Sequence, residues 1–323
     1  MNSKIFAIDG RTDLLNKIIG YYSNFNNDVP LLKGTQDDKV FSDGEISISF
    51  EESVRSQKTY LICTTNSPTN ILKLQLAADA AKRASASEII AIIPYFGYSR
   101  QDRKDGLRGA VGGKVIANAL EASGINHVVL IDLHADQLQG FFNIAVDHIE
   151  GHTIFLPYIE NLLKEEKISN VTLCSPDAGG VKRVDKYYKK LSSKYSNIEF
   201  AMISKKRDKA NSIESMDLIG DVKGREVIII DDMIDTAGTL SKASILLLEK
   251  GAKSVRAIAT HGIFSGKAFK NLDESNLTEL ILADTYAGKY KDCKVPITVL
   301  SAAENIARII NASNSGISAS ASL

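Results

Sequence analysis

The residues best suited to chemistry lie in one run, Val227-Ile-Ile-Ile-Asp-Asp-Met-Ile-Asp-Thr-Ala-Gly-Thr239. An apolar strand runs into two adjacent acids, and Asp235-Thr-Ala-Gly-Thr239 then opens a helix. Thr236, Ala237, Gly238 and Thr239 offer amides and hydroxyls at a helix N-terminus, where the peptide dipoles favour an anion. Asp231 and Asp232 point to opposite sides of a strand and could hold sugar hydroxyls or a magnesium ion. A helix needs one capping residue, and this loop spends five small or polar residues and an acid pair, so phosphate binding is the better reading than a plain cap.

Further chemistry-bearing residues sit at the ends of other apolar runs. Asp132-Leu-His134 follows Val128–Ile131, and period-two spacing predicts Asp132, His134 and Asp136 on one side if the strand continues. Asp177 follows Val171–Cys174 and precedes Gly179-Gly180, where backbone can approach a ligand closely. Arg100 and Arg103 carry the planar fork that suits phosphates, and Tyr95-Phe-Gly-Tyr98 beside them predicts a stacking surface. Ser204-Lys-Lys-Arg207 reads as a basic loop after the strand Ile198–Ile203, with Glu214–Gly224 as the return strand. The chain has no Gly-x-x-x-x-Gly-Lys-Ser/Thr, so a P-loop is excluded; Gly109-Ala-Val-Gly-Gly-Lys114 has the wrong spacing.

Positioning these residues requires strands alternating with helices. Strands are predicted at Tyr60–Cys63, Ile89–Ile93, Val128–Ile131, Val171–Cys174, Val227–Ile230 and Val255–Ala259, and helices at Asn70–Arg83, Lys114–Ala122, Gly179–Lys194 and Leu240–Lys250. Continuous apolar strands between helices predict an α/β fold with mostly parallel sheets. Glu45–Phe50 alternates strictly and predicts an antiparallel or edge strand with one wet face. The strand–helix–strand unit from Tyr60 to Ile93 resembles the one from Val227 to Ala259, about 166 residues later, which predicts two similar domains meeting near Glu150-Gly151.

The 323 residues suit about two domains. Lys+Arg 39 balances Asp+Glu 39, which argues against a nucleic-acid coat or a membrane-surface binder. No apolar run is long enough to span a bilayer, the start lacks a signal-peptide pattern, and three cysteines without Cys-x-x-Cys fit a reducing, cytoplasmic setting. Cys63 and Cys174 read as buried, inert thiols.

Seven segments fall in one order: Phe41-Ser-Asp-Gly-Glu45, Pro94–Lys104, Asp132–Asp136, Gln139-Gly-Phe-Phe142, Ser175-Pro-Asp-Ala-Gly-Gly180, the Asp231–Thr239 loop and Thr260-His261. The loop resembles that of the type I phosphoribosyltransferase fold, and the set resembles the ribose-phosphate diphosphokinase family over nearly the whole chain. The resemblance implies two phosphoribosyltransferase-like domains, 1–150 (ATP and oligomer contacts) and 151–300 (ribose 5-phosphate and catalytic loop), with 301–323 packing back on the first.

It implies transfer of the β,γ-diphosphoryl group of Mg-ATP to the 1-hydroxyl of ribose 5-phosphate. ATP is then held by Asp43, Gly44, Glu45, Arg100, Gln101 and Arg103. Ribose 5-phosphate is held by Asp231, Asp232, Asp235, Thr236, Ala237, Gly238, Thr239 and Arg207, and Mg2+ by His134 and Asp177, with Asp132 as a further candidate. Lys205 and Arg207 match the catalytic pair of a flexible loop. The Phe41–Glu45 segment reaches a neighbouring subunit, which implies a homo-oligomer, a hexamer built from dimers.

The chain departs from the family pattern at Ala110 and at Gly112-Gly113, read as loosening a loop beside the ATP site. Ser204, Lys206 and Tyr286-Ala287-Gly288 also depart. The tail Ser315–Ser318 keeps only part of a regulatory phosphate element, while Glu52-Ser53, Arg55 and Arg83 keep other positions near that site.

Overall fold

A computed structural model describes residues 2–25, 29–104, 106–206, 215–288, 290, 293–319 and 322–323, with backbone only at 205, 206 and 215. Two compact units are present: one combines Met1–Glu150 with Ser301–Leu323, the other is Gly151–Leu300.

The first unit runs β1 (Ser3–Ala7), α1 (Thr12–Tyr22), β2 (Leu31–Lys33), β3 (Gln36–Val40), β4 (Ile46–Phe50), β5 (Lys58–Ile62), α2 (Pro68–Arg83), β6 (Glu88–Ile93), α3 (Gly112–Ala122), β7 (His127–Ile131) and β8 (Ala145–Ile149). Six strands form a parallel sheet in the order β2-β1-β5-β6-β7-β8. Strands such as Glu-Ile-Ile-Ala-Ile-Ile in β6 are apolar on both faces because helices cover both. β3 and β4 form a separate antiparallel pair with alternating burial in β4, as its sequence alternation demands.

The second unit runs α4 (Gly151–Lys164), β9 (Val171–Ser175), α5 (Val181–Ser192), β10 (Ile198–Lys206), β11 (Ser215–Ile219), β12 (Glu226–Ile234), α6 (Gly238–Glu249), β13 (Ser254–Gly262), α7 (Ala268–Asp273), β14 (Glu279–Ala283) and β15 (Ile297–Leu300). Its sheet order is β11-β10-β9-β12-β13-β14-β15, parallel except for the β10–β11 pair. Setting β11 aside, both sheets read 2-1-3-4-5-6 in order of their own strands. Each also carries antiparallel additions between its second and third parallel strands: the β3–β4 hairpin in one, and in the other β11, which folds back on β10.

The chain then returns to the first unit as α8 (Ala303–Ser315). At its end Ser313 accepts Lys58 Nζ through its carbonyl (2.7 Å) and hydroxyl (3.1 Å). Asn314 accepts the Tyr60 hydroxyl (2.9 Å) and donates to Ser3 Oγ and the Tyr22 hydroxyl. Lys58 also meets Glu88, and the His127 ring lies between Glu88 (3.8 Å) and Asp147 (2.9 Å). Burial alone would lower the His127 pKa, but hydrogen bonds to Asp147 and Glu88 win and raise it to about 9.

Several elements outrun their sequence-predicted ends. β12 continues through Asp231 and Asp232 to Ile234, and β13 through Thr260-His261, because both acids and the histidine stay within the ladder. β10 continues through Lys205 and Lys206, with Lys205 registered opposite Met216. Lys205 is thus a strand residue rather than a loop residue, and Arg207 lies outside the described residues. β7 stops at Ile131, its sequence-predicted end, and does not continue through Asp132. Asp132 takes a left-handed φ of 41°, so the period-two alignment of Asp132, His134 and Asp136 does not form, and Asp136 instead begins a 3-10 turn. Gly112-Gly113 is not a loosened loop: both residues are buried in the first turn of α3, and a side chain at Gly112 would meet Gln101 Oε1.

Candidate active site

In the second unit the acid pair and the loop below it are held by neighbours in sequence order. Asp232 N donates to Asp231 Oδ1 at 2.9 Å. The Asp232 side chain is 4 % exposed and that of Asp231 34 %, so one carboxylate faces inward and the other faces the mouth of the loop. Arg183 of α5 places Nη1 3.3 Å from Asp232 Oδ1 and 3.9 Å from Asp231 Oδ1. Burial, and then the charge of Asp232, push the Asp231 carboxyl well above its usual range, and Arg183 opposes them. Two carboxylates side by side favour a ligand that donates hydrogen bonds or positive charge.

Below them Asp235 accepts the Ser265 hydroxyl and, through its carbonyl, Ser265 N, while Asn271 Nδ2 donates to the Thr236 carbonyl at 2.8 Å. These contacts hold Ala237 in a left-handed conformation (φ 59°) as the residue before α6. α6 thus has an alanine at its cap position, which brings no side-chain cap. Its first amides therefore point into the loop, where the dipole and N–H groups suit a phosphate. His261 Nδ1 pairs with Thr285 Oγ1 (2.8 Å), which in turn donates to the Thr260 carbonyl, pinning the end of β13 beside the loop.

Asp177, after β9, accepts Gly180 N at 3.1 Å, and its carbonyl accepts Ser175 Oγ at 2.6 Å. The space left by Gly180 holds Ser175 Oγ, 2.8 Å from where a Cβ would stand. Any side chain at Gly180 would therefore disturb the hydrogen bond that ties Ser175 to Asp177.

In the first unit Asp43, Gly44 and Glu45 form the exposed turn of the β3–β4 hairpin. Glu45 N donates to Asp43 Oδ1 (3.1 Å), Phe41 N to the Glu45 carbonyl, and Gly44 takes φ 93°. Arg100, Gln101 and Arg103 are exposed beyond Tyr98. Gln101 N donates to the Tyr98 carbonyl and its carbonyl accepts Gly113 N, which joins this segment to the start of α3. The expected aromatic surface is reduced to Tyr98, 38 % exposed at φ 64°, because Tyr95 and Phe96 are core residues and Phe96 packs on Phe142. His134 is exposed and Asp132 is buried, with its N–H donated to the Ile149 carbonyl.

Among the described residues no three His, Cys, Asp or Glu side chains gather into a metal cage. Mg2+ takes only one or two carboxylates and fills the rest of its octahedron with water and phosphate oxygens. Single carboxylates at strand ends, such as Asp132 and Asp177, fit that demand. Cys63 and Cys174 are buried, and burial raises both thiols, Cys174 to about 12, so neither offers a nucleophile.

Sequence reasoning missed Arg183. It reads as one more cation in a basic helix, Val-Lys-Arg-Val-Asp-Lys-Tyr-Tyr-Lys-Lys. The available signal was spacing: Arg183 lies four residues before the buried Tyr187, on the inward side of α5.

Residues 3–124 match a family profile described as the N-terminal domain of ribose phosphate pyrophosphokinase, and residues 186–317 match a phosphoribosyl synthetase-associated domain. Ribose-phosphate pyrophosphokinase of Porphyromonas gingivalis is 44 % identical over 271 residues, 84 % of this chain and 83 % of that one. Ribose-phosphate pyrophosphokinase A of Dictyostelium discoideum is 42 % identical over 302 residues, 92 % of each chain. The crystal structure of phosphoribosylpyrophosphate synthetase from Mycobacterium smegmatis superposes with a TM-score of 0.86 at 33 % identity, covering 98 % of this chain and all of that one. Matched by relatives at 42–44 % identity over 84–92 % of its length, with a superposable structure over 98 % of it, the chain belongs to the ribose-phosphate pyrophosphokinase family.

Proposed function

We propose that the chain transfers the diphosphoryl group of ATP to the anomeric hydroxyl of ribose 5-phosphate. The hydroxyl oxygen attacks the β-phosphorus, the bond from that phosphorus to the α-phosphate oxygen breaks, AMP leaves and the hydroxyl proton is released. The products are 5-phosphoribosyl 1-diphosphate and AMP. The observation that carries this reading is the uncapped N-terminus of α6 directly after the Asp231–Asp232 pair. It offers amides for a 5-phosphate and carboxylates for ribose hydroxyls on one short segment.

On this reading Asp235, Thr236, Ala237, Gly238 and Thr239 hold the phosphate, and Asp231, backed by the buried Asp232, holds the sugar. Asp43, Gly44, Glu45, Arg100, Gln101 and Arg103 bind ATP. His134 and Asp177, with Asp132, would hold Mg2+, which when bound neutralises charge on the transferred phosphates. Lys205 and Arg207 add positive charge where negative charge develops, the kind of preorganised stabilisation that dominates such reactions.

A homo-oligomer of dimers, a hexamer, is part of the proposal. It is supported by the exposed Val40 and Phe41 at the tip of the β3–β4 hairpin, apolar groups that a neighbouring subunit would cover. A cytoplasmic location fits the free thiols. No helix among the described residues is long and apolar enough to cross a membrane.

The test is incubation with Mg-ATP and ribose 5-phosphate. AMP and 5-phosphoribosyl 1-diphosphate should form in equal amounts. AMP release that does not depend on ribose 5-phosphate, or none at all, would overturn the assignment.

A further inference from the structure

The two units give an internal control for the acid pair. In the first, Ser3 of β1 is registered with Lys58 of β5; in the second, Val171 of β9 is registered with Glu226 of β12. Counting from these pairs, Cys63 and Thr64 stand where Asp231 and Asp232 stand. The helices correspond as well: the buried Leu15, Ile18 and Tyr22 of α1 match Val184, Tyr187 and Leu191 of α5. The third residue of α1 is Leu14, fully buried; the third residue of α5 is Arg183. The same architecture is thus built once with Leu, Cys and Thr, and once with Arg, Asp and Asp.

The fold closes with an apolar residue at that helix position, so it does not require the charges. A buried acid pair carries a desolvation penalty that a neutral trio avoids, and removing one partner from such a cluster leaves charge uncompensated. The guanidinium approaches Asp232, the inward carboxylate, more closely than Asp231, the outward one. That arrangement neutralises the inner acid and fixes its position, which leaves the outer carboxylate free to turn its remaining lone pairs toward the loop mouth.

We propose that Arg183 is a positioning residue for the sugar. By compensating Asp232 it holds the Asp231 carboxylate in the geometry that accepts the hydroxyls of a phosphorylated pentose. Arg183 acts through the acids. This inference rests on the ribose 5-phosphate reading of the loop and extends it to a residue of α5.

The experiment compares wild type, Arg183→Met, Arg183→Lys, Asp232→Asn and the double variant Arg183→Met/Asp232→Asn. AMP formation is measured against each substrate, ribose 5-phosphate binding by calorimetry, and folding by thermal denaturation. Arg183→Met should raise the KM for ribose 5-phosphate at least about tenfold, with the KM for ATP within about twofold of wild type. Arg183→Lys, which keeps the charge but loses the fork, should recover part of that loss. Removing Arg183 should also matter less once Asp232 is neutral: the double variant should bind ribose 5-phosphate at least as well as Arg183→Met alone. A purely structural arginine would lower the melting temperature without this substrate split and without relief by Asp232→Asn, and that result overturns the proposal. So does an unchanged KM for ribose 5-phosphate in Arg183→Met. If Arg183→Met does not fold, Arg183→Lys and the double variant carry the same comparison. Wild type that forms no product would instead overturn the functional assignment, and calorimetry would still report whether Arg183 governs sugar binding.

Discussion

The β5–α2 and β12–α6 crossovers occupy corresponding places in the two sheets and differ in where their polar groups point. In the first, Ser67 caps α2 by accepting Asn70 N at 3.1 Å, and Pro68 follows it. Thr64 gives both its N–H and its hydroxyl to Asp9 Oδ2, at 2.8 and 2.9 Å. Every one of these contacts is made within the unit. In the second, the helix has no side-chain cap, the residue before it is a left-handed alanine, and the side chains of Asp235 and Asn271 are spent on holding the loop's shape. One crossover satisfies itself and the other is left incomplete, in the sense that a bound anion would finish it. Topology supplies the position at a sheet's carboxyl edge. Whether that position binds anything depends on the cap and on the acids.

The largest effect expected from closing the open crossover comes from Gly238→Asp. A side chain there meets only ordinary contacts with Asn271 and Thr236, and it would put a carboxylate beside the first amides of α6. The KM for ribose 5-phosphate should rise at least about 100-fold, on the scale of losing one preorganised donor, while thermal stability stays within about 1 kcal/mol because an acid in the first turn suits the helix dipole. A substantial fall in stability with an unchanged KM would mean that the α6 terminus is structural.

The antiparallel additions that follow the second parallel strand of each unit, β3–β4 and β11, can be compared in the same way. Lys205→Ala, on β10, should lower kcat by about 100-fold with ribose 5-phosphate binding retained in calorimetry. Near-normal turnover would remove this strand from the catalytic machinery.

At the opposite, amino-terminal edge of the sheets, registered positions again differ. His127 and Asp147 in the first unit stand where Glu279 and Thr298 stand in the second. The His127 pKa is raised in the folded chain, from 6.5 to about 9. Its contribution is therefore fully present below about pH 6.5 and is lost as pH rises through about 9. Denaturant unfolding between pH 6.5 and 9.5 should show a loss on the order of 2 kcal/mol in wild type that is absent in His127→Gln. Parallel curves for the two proteins would show that the pair is not coupled to folding.

The smallest effect expected is that of Ser67→Ala, which removes the closed crossover's cap. It should cost about 1 kcal/mol of stability and leave both KM values unchanged, as measured by denaturation and steady-state assay. Altered kinetics would show that the two crossovers are less separate in role than their hydrogen bonding implies.

The fold was legible because its strands are apolar on both faces and its helices fall between them, so the βα alternation survives any error in the ends. The ends themselves were misplaced where polar residues stay in a ladder, as at Asp231-Asp232, Thr260-His261 and Ser204–Lys206. Composition marks those residues as loop, and only pairing with a neighbouring strand decides otherwise. Asp132 fails in the other direction, since a left-handed turn at a strand's end leaves no periodic trace. The Asp235–Thr239 segment was legible as a loop opening a helix, but its shape was not: Asp235, Thr236 and Thr239 are capping residues by type, yet contacts from Ser265 and Asn271 go with a left-handed Ala237 at the cap position. Arg183 was hidden for a similar reason. Its partners are 48 and 49 residues away in sequence, and only the packing of α5 beside β12 makes the contact.

The return of α8 to the first unit bears on the order of synthesis. Lys58, Tyr60, Tyr22 and Ser3 find partners in Ser313 and Asn314, which are encoded after the whole of Gly151–Leu300. A ribosome adding about 5–20 residues per second takes roughly 10–30 s over that stretch, and the nascent chain spends that time with its first unit lacking its closing helix. The second unit, contiguous in sequence, has all its strands and helices before the first one does. An unfinished first unit that exposes the α8 face of α1 is thus the species a chaperone would meet during translation.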